Sequence, residues 1–239
     1  MDWTDRGIVL SARKHGESAV ILSLLTEAHG RHLGIVRGGG GRRARGLYEP
    51  GNIVDAHWRA RLEDHLGSYT CELAQAHAAQ ILDDPLRLAG LSAMCAVIES
   101  ALPEREAHVA LYRDVFDLIE SLSTADWRER YVAFEIALLR ELGFGLDLSV
   151  CAATGQSDDL IYVSPRSGCA VSAAAGEPYR DRLLPLPPFL VAADGNPATT
   201  RQILDGLRLT GYFLDQNIFI HGRTGAPPAR DRFVDRLRH

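Results

Sequence analysis

Lysine is almost missing from this chain: of its 26 basic residues only Lys14 is not an arginine. Cysteine is scarce too, and Cys71, Cys95, Cys151 and Cys169 are expected to be free thiols. Long apolar runs are lacking. The stretch from Leu88 to Ile98 ends at Glu99, far short of the roughly 20 residues that span a bilayer. The opening MDWTDRG carries acids and a glycine where a secretory leader would be apolar, so a cytoplasmic location is expected. Catalytic signatures are absent as well. There is no Gly-x-Ser-x-Gly elbow, no His-Glu-x-x-His and no dinucleotide fingerprint. Gly38 to Gly41 lacks the Gly-Lys-Ser/Thr that would make it a P-loop. An enzyme is therefore not expected, nor any cofactor.

The run RHLGIVRGGGGRRARGLYEP, Arg31 to Pro50, has the opposite character. A strand-like segment breaks into four glycines and then three arginines within four residues, a cationic loop without a catalytic group. Residues 31 to 61 hold seven arginines against Glu49 and Asp55, a local charge of +5 in a chain whose formal net charge is −5. Such a patch attracts phosphate electrostatically despite an acidic average, and it points to nucleic acid. A solvated hairpin tip kept soluble by arginine is the alternative.

Up to residue 73 the pattern is of five short strands, RGIVLSAR, SAVILSLLT, RHLGIVRG, GNIVDAHWRA and GSYTCEL, separated by turn residues. Five strands in under 80 residues predict a small barrel, with an OB-fold the natural candidate beside an SH3-like one. From Leu73 the apolar period changes to 3.6, predicting helices over 86–101, 105–122, 126–142 and 199–215. The expectation is an α+β chain of two domains: a nucleic-acid-binding barrel over 1–80 and a helical domain over 81–239, interrupted at 151–180 by a segment rich in Gly, Ser, Asp and Pro.

Several segments in order, GIVLSARKHGESAVILSLLTEAHGRHLGIVRGGG, LYEPGNIVDAHW, FEIALLRELGFGLDLSVCAATG, YVSPRSG and LRLTGYFLDQNIF, resemble the RecO family of bacterial recombination mediators. The resemblance covers most of residues 6 to 220. It implies an N-terminal five-stranded OB-fold and a C-terminal helical bundle. It further implies binding to single- and double-stranded DNA, annealing of complementary strands, and help in loading the recombinase in the RecF pathway. The partners it implies are RecR and the acidic tail of the single-stranded DNA-binding protein, with RecF as a further one, and a nucleoid association during repair.

On that reading Arg13 and Lys14 at the end of the first strand, Arg37 at the end of the third, Arg42, Arg43 and Arg45 in the loop, and Arg59 in the fourth neutralise phosphates, with Tyr48 as a stacking aromatic. Trp58 is a second aromatic, with an inward-facing core position as its alternative. In many relatives the Cys151 segment is a zinc site of two Cys-x-x-Cys pairs. Here only Cys151 is in register, with Thr154, Ser172 and Ala175 at the other three positions and Cys169 three residues early, so a metal-free degenerate zinc-finger-like insertion is expected. His29 and His32 lack a third ligand nearby, and Asp83-Asp84 and Asp158-Asp159 read as caps or solvated acids. The main rival to DNA binding is a non-catalytic protein-interaction scaffold, in which the arginine loop is decorative.

Overall fold

The computed structural model of the chain describes residues 1–41, 44, 46–62, 64–191, 197–220 and 225–239. Two compact units result, one of residues 1–123 with 227–233 and one of residues 124–226 with 234–239.

In the first unit β1 (Asp2–His15), β2 (Ala19–Thr26), β3 (Gly30–Val36), β4 (Ile53–Arg59) and β5 (Ser68–Gln75) close into a barrel ordered β1-β2-β3-β5-β4. Antiparallel pairings make every junction except that of β3 with β5, where Ile35 meets Ser68 in parallel. This is the OB-fold order. Val9, Leu22, Leu24, Val54, Ala56, Trp58 and Tyr69 fill the barrel, each at most 4% exposed. Burying one such leucine contributes about 2 kcal/mol. β1 starts four residues before the expected strand, because Asp2 to Arg6 pair with Arg59 to Asp55 of β4.

Helices α1 (His77–Gln80), α2 (Pro85–Ala101) and α3 (Val109–Ser121) belong to the same unit. Asp84 caps α2, its Oδ1 accepting from the N–H groups of Leu86 and Arg87 at 3.0 Å, with Pro85 pre-set as the first helical residue. The helices grip the barrel through side chains: Cys95 Sγ donates to the Val9 carbonyl and Tyr112 Oη to that of Arg6. At Gly30, where φ is +64°, the backbone passes so close to α3's approach that an added Cβ would lie 1.8 Å from the Glu106 carbonyl oxygen.

The second unit holds α4 (Trp127–Glu141), α5 (Ala173–Gly176) and α6 (Thr200–Leu214), with a small sheet of β6 (Leu160–Val163), β7 (Ala170–Ser172) and β8 (Leu184–Pro185) in the order β7-β6-β8. α6 opens on a capping box between Thr199 and Gln202. It approaches α4 where Gly206 faces Val132, and Thr210 donates a hydrogen bond to the fully buried Glu135. The four long helices match the 3.6-residue period. A final helix, α7 (Pro228–Arg238), was not expected, since its apolar positions are only Phe233, Val234 and Leu237 among charges.

Candidate nucleic-acid interface

The barrel registers decide which basic residues share a face. Lys14 pairs with Val20, and Val20 with Val36, so Lys14 and the end of β3 stand two strands apart, about 10 Å. Arg59 pairs with Ser68, which pairs with Ile35, so Arg59 also lies two strands from the end of β3. Pleat parity then sorts the side chains. Arg37 and Arg59 share the outer parity of Ile35, whereas Lys14 shares the inward parity of Val20 at the open mouth of the barrel. All three are exposed, and none pairs with an acid among the described residues. Lys14 stands where β1 runs into the β1–β2 turn, Arg37 follows β3, and Arg59 ends β4 at the start of the β4–β5 loop, beside the surface by which OB-folds hold oligonucleotides.

Arg13, on the opposite face from Lys14, is already engaged: its Nη2 donates to Glu99 Oε1 at 2.8 Å, an oxygen that also accepts from Ser11 Oγ at 2.7 Å. Arg42, Arg43 and Arg45 lie outside the described residues. The flanks of that segment are held by packing and hydrogen bonds. Gly38 turns at φ +73°, Gly39 is buried against Val20 and Val36, and the Gly40 N–H donates to the Ser18 carbonyl at 2.9 Å. On the far side, Asn52 Nδ2 donates to the carbonyls of Gly46 at 2.8 Å and Leu47 at 3.3 Å. Gly39 and Gly40 thus pack against the barrel and the β1–β2 turn, where the composition alone suggests slack.

The aromatic assignments need correcting. Tyr48 is 7% exposed and its ring joins the barrel core, so it is not an open stacking platform. The apolar surface it covers is worth more inside the barrel than on a loop. Burial pushes its hydroxyl up to about 12, which keeps it a neutral donor. Trp58 is 1% exposed, with Nε1 donating to the Leu66 carbonyl at 3.1 Å. His29 stacks on Trp3 at 4.0 Å, and Asp5 lies 3.1 Å from its Nδ1. His32 is buried edge-on to Trp58, and desolvation lowers it to about 4. These two histidines therefore belong to an aromatic cluster.

Sequence reasoning missed a cavity of about 470 Å³ at the same mouth, lined by Ser11, Lys14, Glu17, Val20, Tyr48 and Glu49 among others. Three separate turns meet there, and no local pattern links residues 14–17, 39–40 and 48–50.

The Cys151 segment brings together Cys151, Thr154 and Ser172, three of the four positions that the family resemblance marks for zinc. Cys151 is buried, its Sγ accepts the Ser172 N–H at 3.3 Å, and hydrogen bonds from the Ser172 and Thr154 side chains lower the thiol to about 6 while burial opposes them. One thiol and two hydroxyls do not suit zinc, which takes thiolates, imidazoles and carboxylates. Among the described residues no group of three or more His, Cys, Asp or Glu could hold a metal ion. Hydrogen bonds close the segment's turns instead: Gly155 N–H to the Cys151 carbonyl at 2.8 Å, and in the β6–β7 hairpin Gly168 N–H to that of Ser164 at 2.9 Å. Thermal unfolding should accordingly be unchanged by EDTA or by added zinc. A midpoint lowered by the chelator would reveal a ligand set other than this one.

Comparison with known proteins agrees with the barrel and its helices. Residues 1–77 match the family profile described as Recombination protein O N terminal, and residues 82–224 match Recombination protein O C terminal. A protein named DNA repair protein RecO from Rhodospirillum centenum is 55% identical over 240 residues, covering 100% of this chain and 95% of the relative. Its namesake from Rhodospirillum rubrum is 50% identical over 244 residues, covering 100% and 97%. One from Methylorubrum extorquens is 49% identical over 241 residues, covering 98% and 97%. With both profiles in sequence order and full-length relatives at this identity, the chain belongs to the recombination protein O family.

Proposed function

We propose that this protein is a DNA repair and recombination mediator that binds single- and double-stranded DNA, anneals complementary strands and helps load the recombinase onto strands coated by single-stranded DNA-binding protein. The observation that carries the reading is the OB surface on which Lys14, Arg37 and Arg59 are exposed and form no ion pair among the described residues. The work required of them is phosphate neutralisation, which needs no nucleotide and no bond-making group, so the mediator is not an enzyme. Arg42, Arg43 and Arg45, read from the sequence, add three further cations to that work. Arg13 is the weakest of the set, because Glu99 already neutralises it.

Annealing follows from the same chemistry. Two strands repel through their phosphates, and a cationic edge that holds one strand while another approaches lowers that barrier. RecR, RecF and the tail of the single-stranded DNA-binding protein are the proposed protein partners, in the cytoplasm and at the nucleoid during repair. Among the described residues no helix is long and apolar enough to cross a membrane.

The test is a titration of a labelled single strand at several salt concentrations, followed by an annealing assay without nucleotide. For three to six contacts the slope of log K against log salt is expected near −2 to −4, at about −0.7 per contact. A flat slope, or no binding, would leave the scaffold reading in its place.

A further inference from the structure

The cavity at the barrel mouth combines features that phosphate neutralisation does not use. Phosphate contacts need exposed cations, yet the described lining brings two carboxylates, Glu17 and Glu49, beside Lys14. Carboxylates turn phosphate away and accept hydrogen bonds from amino and imino groups instead. Apolar walls come from Ala12, Val20 and Pro50, with Tyr48 alongside, whose hydroxyl has no hydrogen-bond partner among the described residues. The volume of about 470 Å³ is ample for a purine. Barrel mouths with apolar walls and a few converging polar groups are where small planar ligands settle.

We propose that this cavity seats one unstacked base of a bound single strand and reads the amino edge of that base with Glu17 and Glu49. The inference rests on the DNA-binding reading above and deepens it. With Lys14 at the rim, the adjoining phosphate is held outside while the base enters. Guanine fits best, because its N1–H and N2–H donors lie side by side and match a carboxylate. Thymine fits worst, since it offers one donor between two carbonyls that face the same acids. A duplex keeps its bases paired, so the pocket acts on single strands alone. It therefore distinguishes the two forms of DNA without any sequence-reading element in a groove.

The experiment compares an oligothymidylate of about 15 nucleotides with the same strand carrying one central guanine, by fluorescence anisotropy on the full chain. The guanine is expected to tighten binding about fivefold, the low end of one base-edge contact. In Glu49→Gln and Glu17→Gln that ratio should fall towards one, with unfolding midpoints unchanged because both side chains are exposed. The ratio is the readout, since removing an acid also strengthens binding to any strand. A ratio of one in the unaltered protein, with salt-dependent binding intact, overturns the pocket and leaves the DNA-binding reading standing. An undiminished ratio in both variants overturns it as well. Failure to bind either strand overturns both. Guanosine monophosphate is the remaining arm: competition by the free nucleotide as effective as by the guanine strand would make this a nucleotide site and overturn the strand-bound base.

Discussion

Gly30→Ala is expected to destabilise the barrel unit by about 3 kcal/mol or more, since its added Cβ meets the shortest contact found at any described glycine. Two costs add. A left-handed conformation at φ +64° costs an L residue about 1 kcal/mol, and the new Cβ would stand 1.8 Å from the Glu106 carbonyl oxygen, so backbone must move. The neighbouring bonds resist that movement: the Gly30 carbonyl accepts from Thr26 Oγ1 at 3.0 Å, and the Arg31 carbonyl accepts from the Arg105 N–H at 2.8 Å. Gly16→Ala is the internal control, with φ +63° but nothing within 4 Å of its added Cβ. It should cost only about 1 kcal/mol. Denaturant midpoints of the two variants settle the matter, and equal losses would mean that the Glu106 contact is not a constraint.

Replacing Arg42, Arg43 and Arg45 together by alanine is expected to weaken binding to a single strand roughly ten- to hundredfold near 0.1 M salt and to make the salt slope shallower by about 2. The magnitude follows from losing three counterion-releasing contacts at about 0.7 each. Folding should be untouched, because the anchors at either side of the loop, Gly40 on Ser18 and Asn52 on Gly46 and Leu47, do not involve the three side chains. Binding and slope both unchanged, with the protein folded, would move DNA off this edge and favour the scaffold.

The barrel was readable from the sequence because its strands alternate against a single core, as in Val20, Leu22 and Leu24, and because turn residues separate them. The long helices were readable for the same reason at a different period. Asp2 to Arg6 were not, since charges alternate there with few apolar residues, and only pairing with β4 makes them a strand. Tyr48 looked like a loop aromatic because it follows glycines and arginines. Closure of the barrel places the ring inside, which no local signal announces. The split of Arg13 and Lys14 onto opposite faces also required the register, and Glu99, Arg13's partner, lies 86 residues away. What sequence could not supply was the meeting of three turns at the barrel mouth, since that depends on shear and strand order rather than on any single segment.

Lys14 is the only side-chain amine in the chain, and it stands at the rim of that mouth. An amine-directed dye or photocrosslinker therefore reports on one address among the side chains without any cysteine having to be introduced or removed. A probe placed there would change its emission as a strand arrives, and a crosslinker would record which nucleotide lay nearest. The scarcity of lysine thus confines amine labelling to Lys14 and the N-terminal amine.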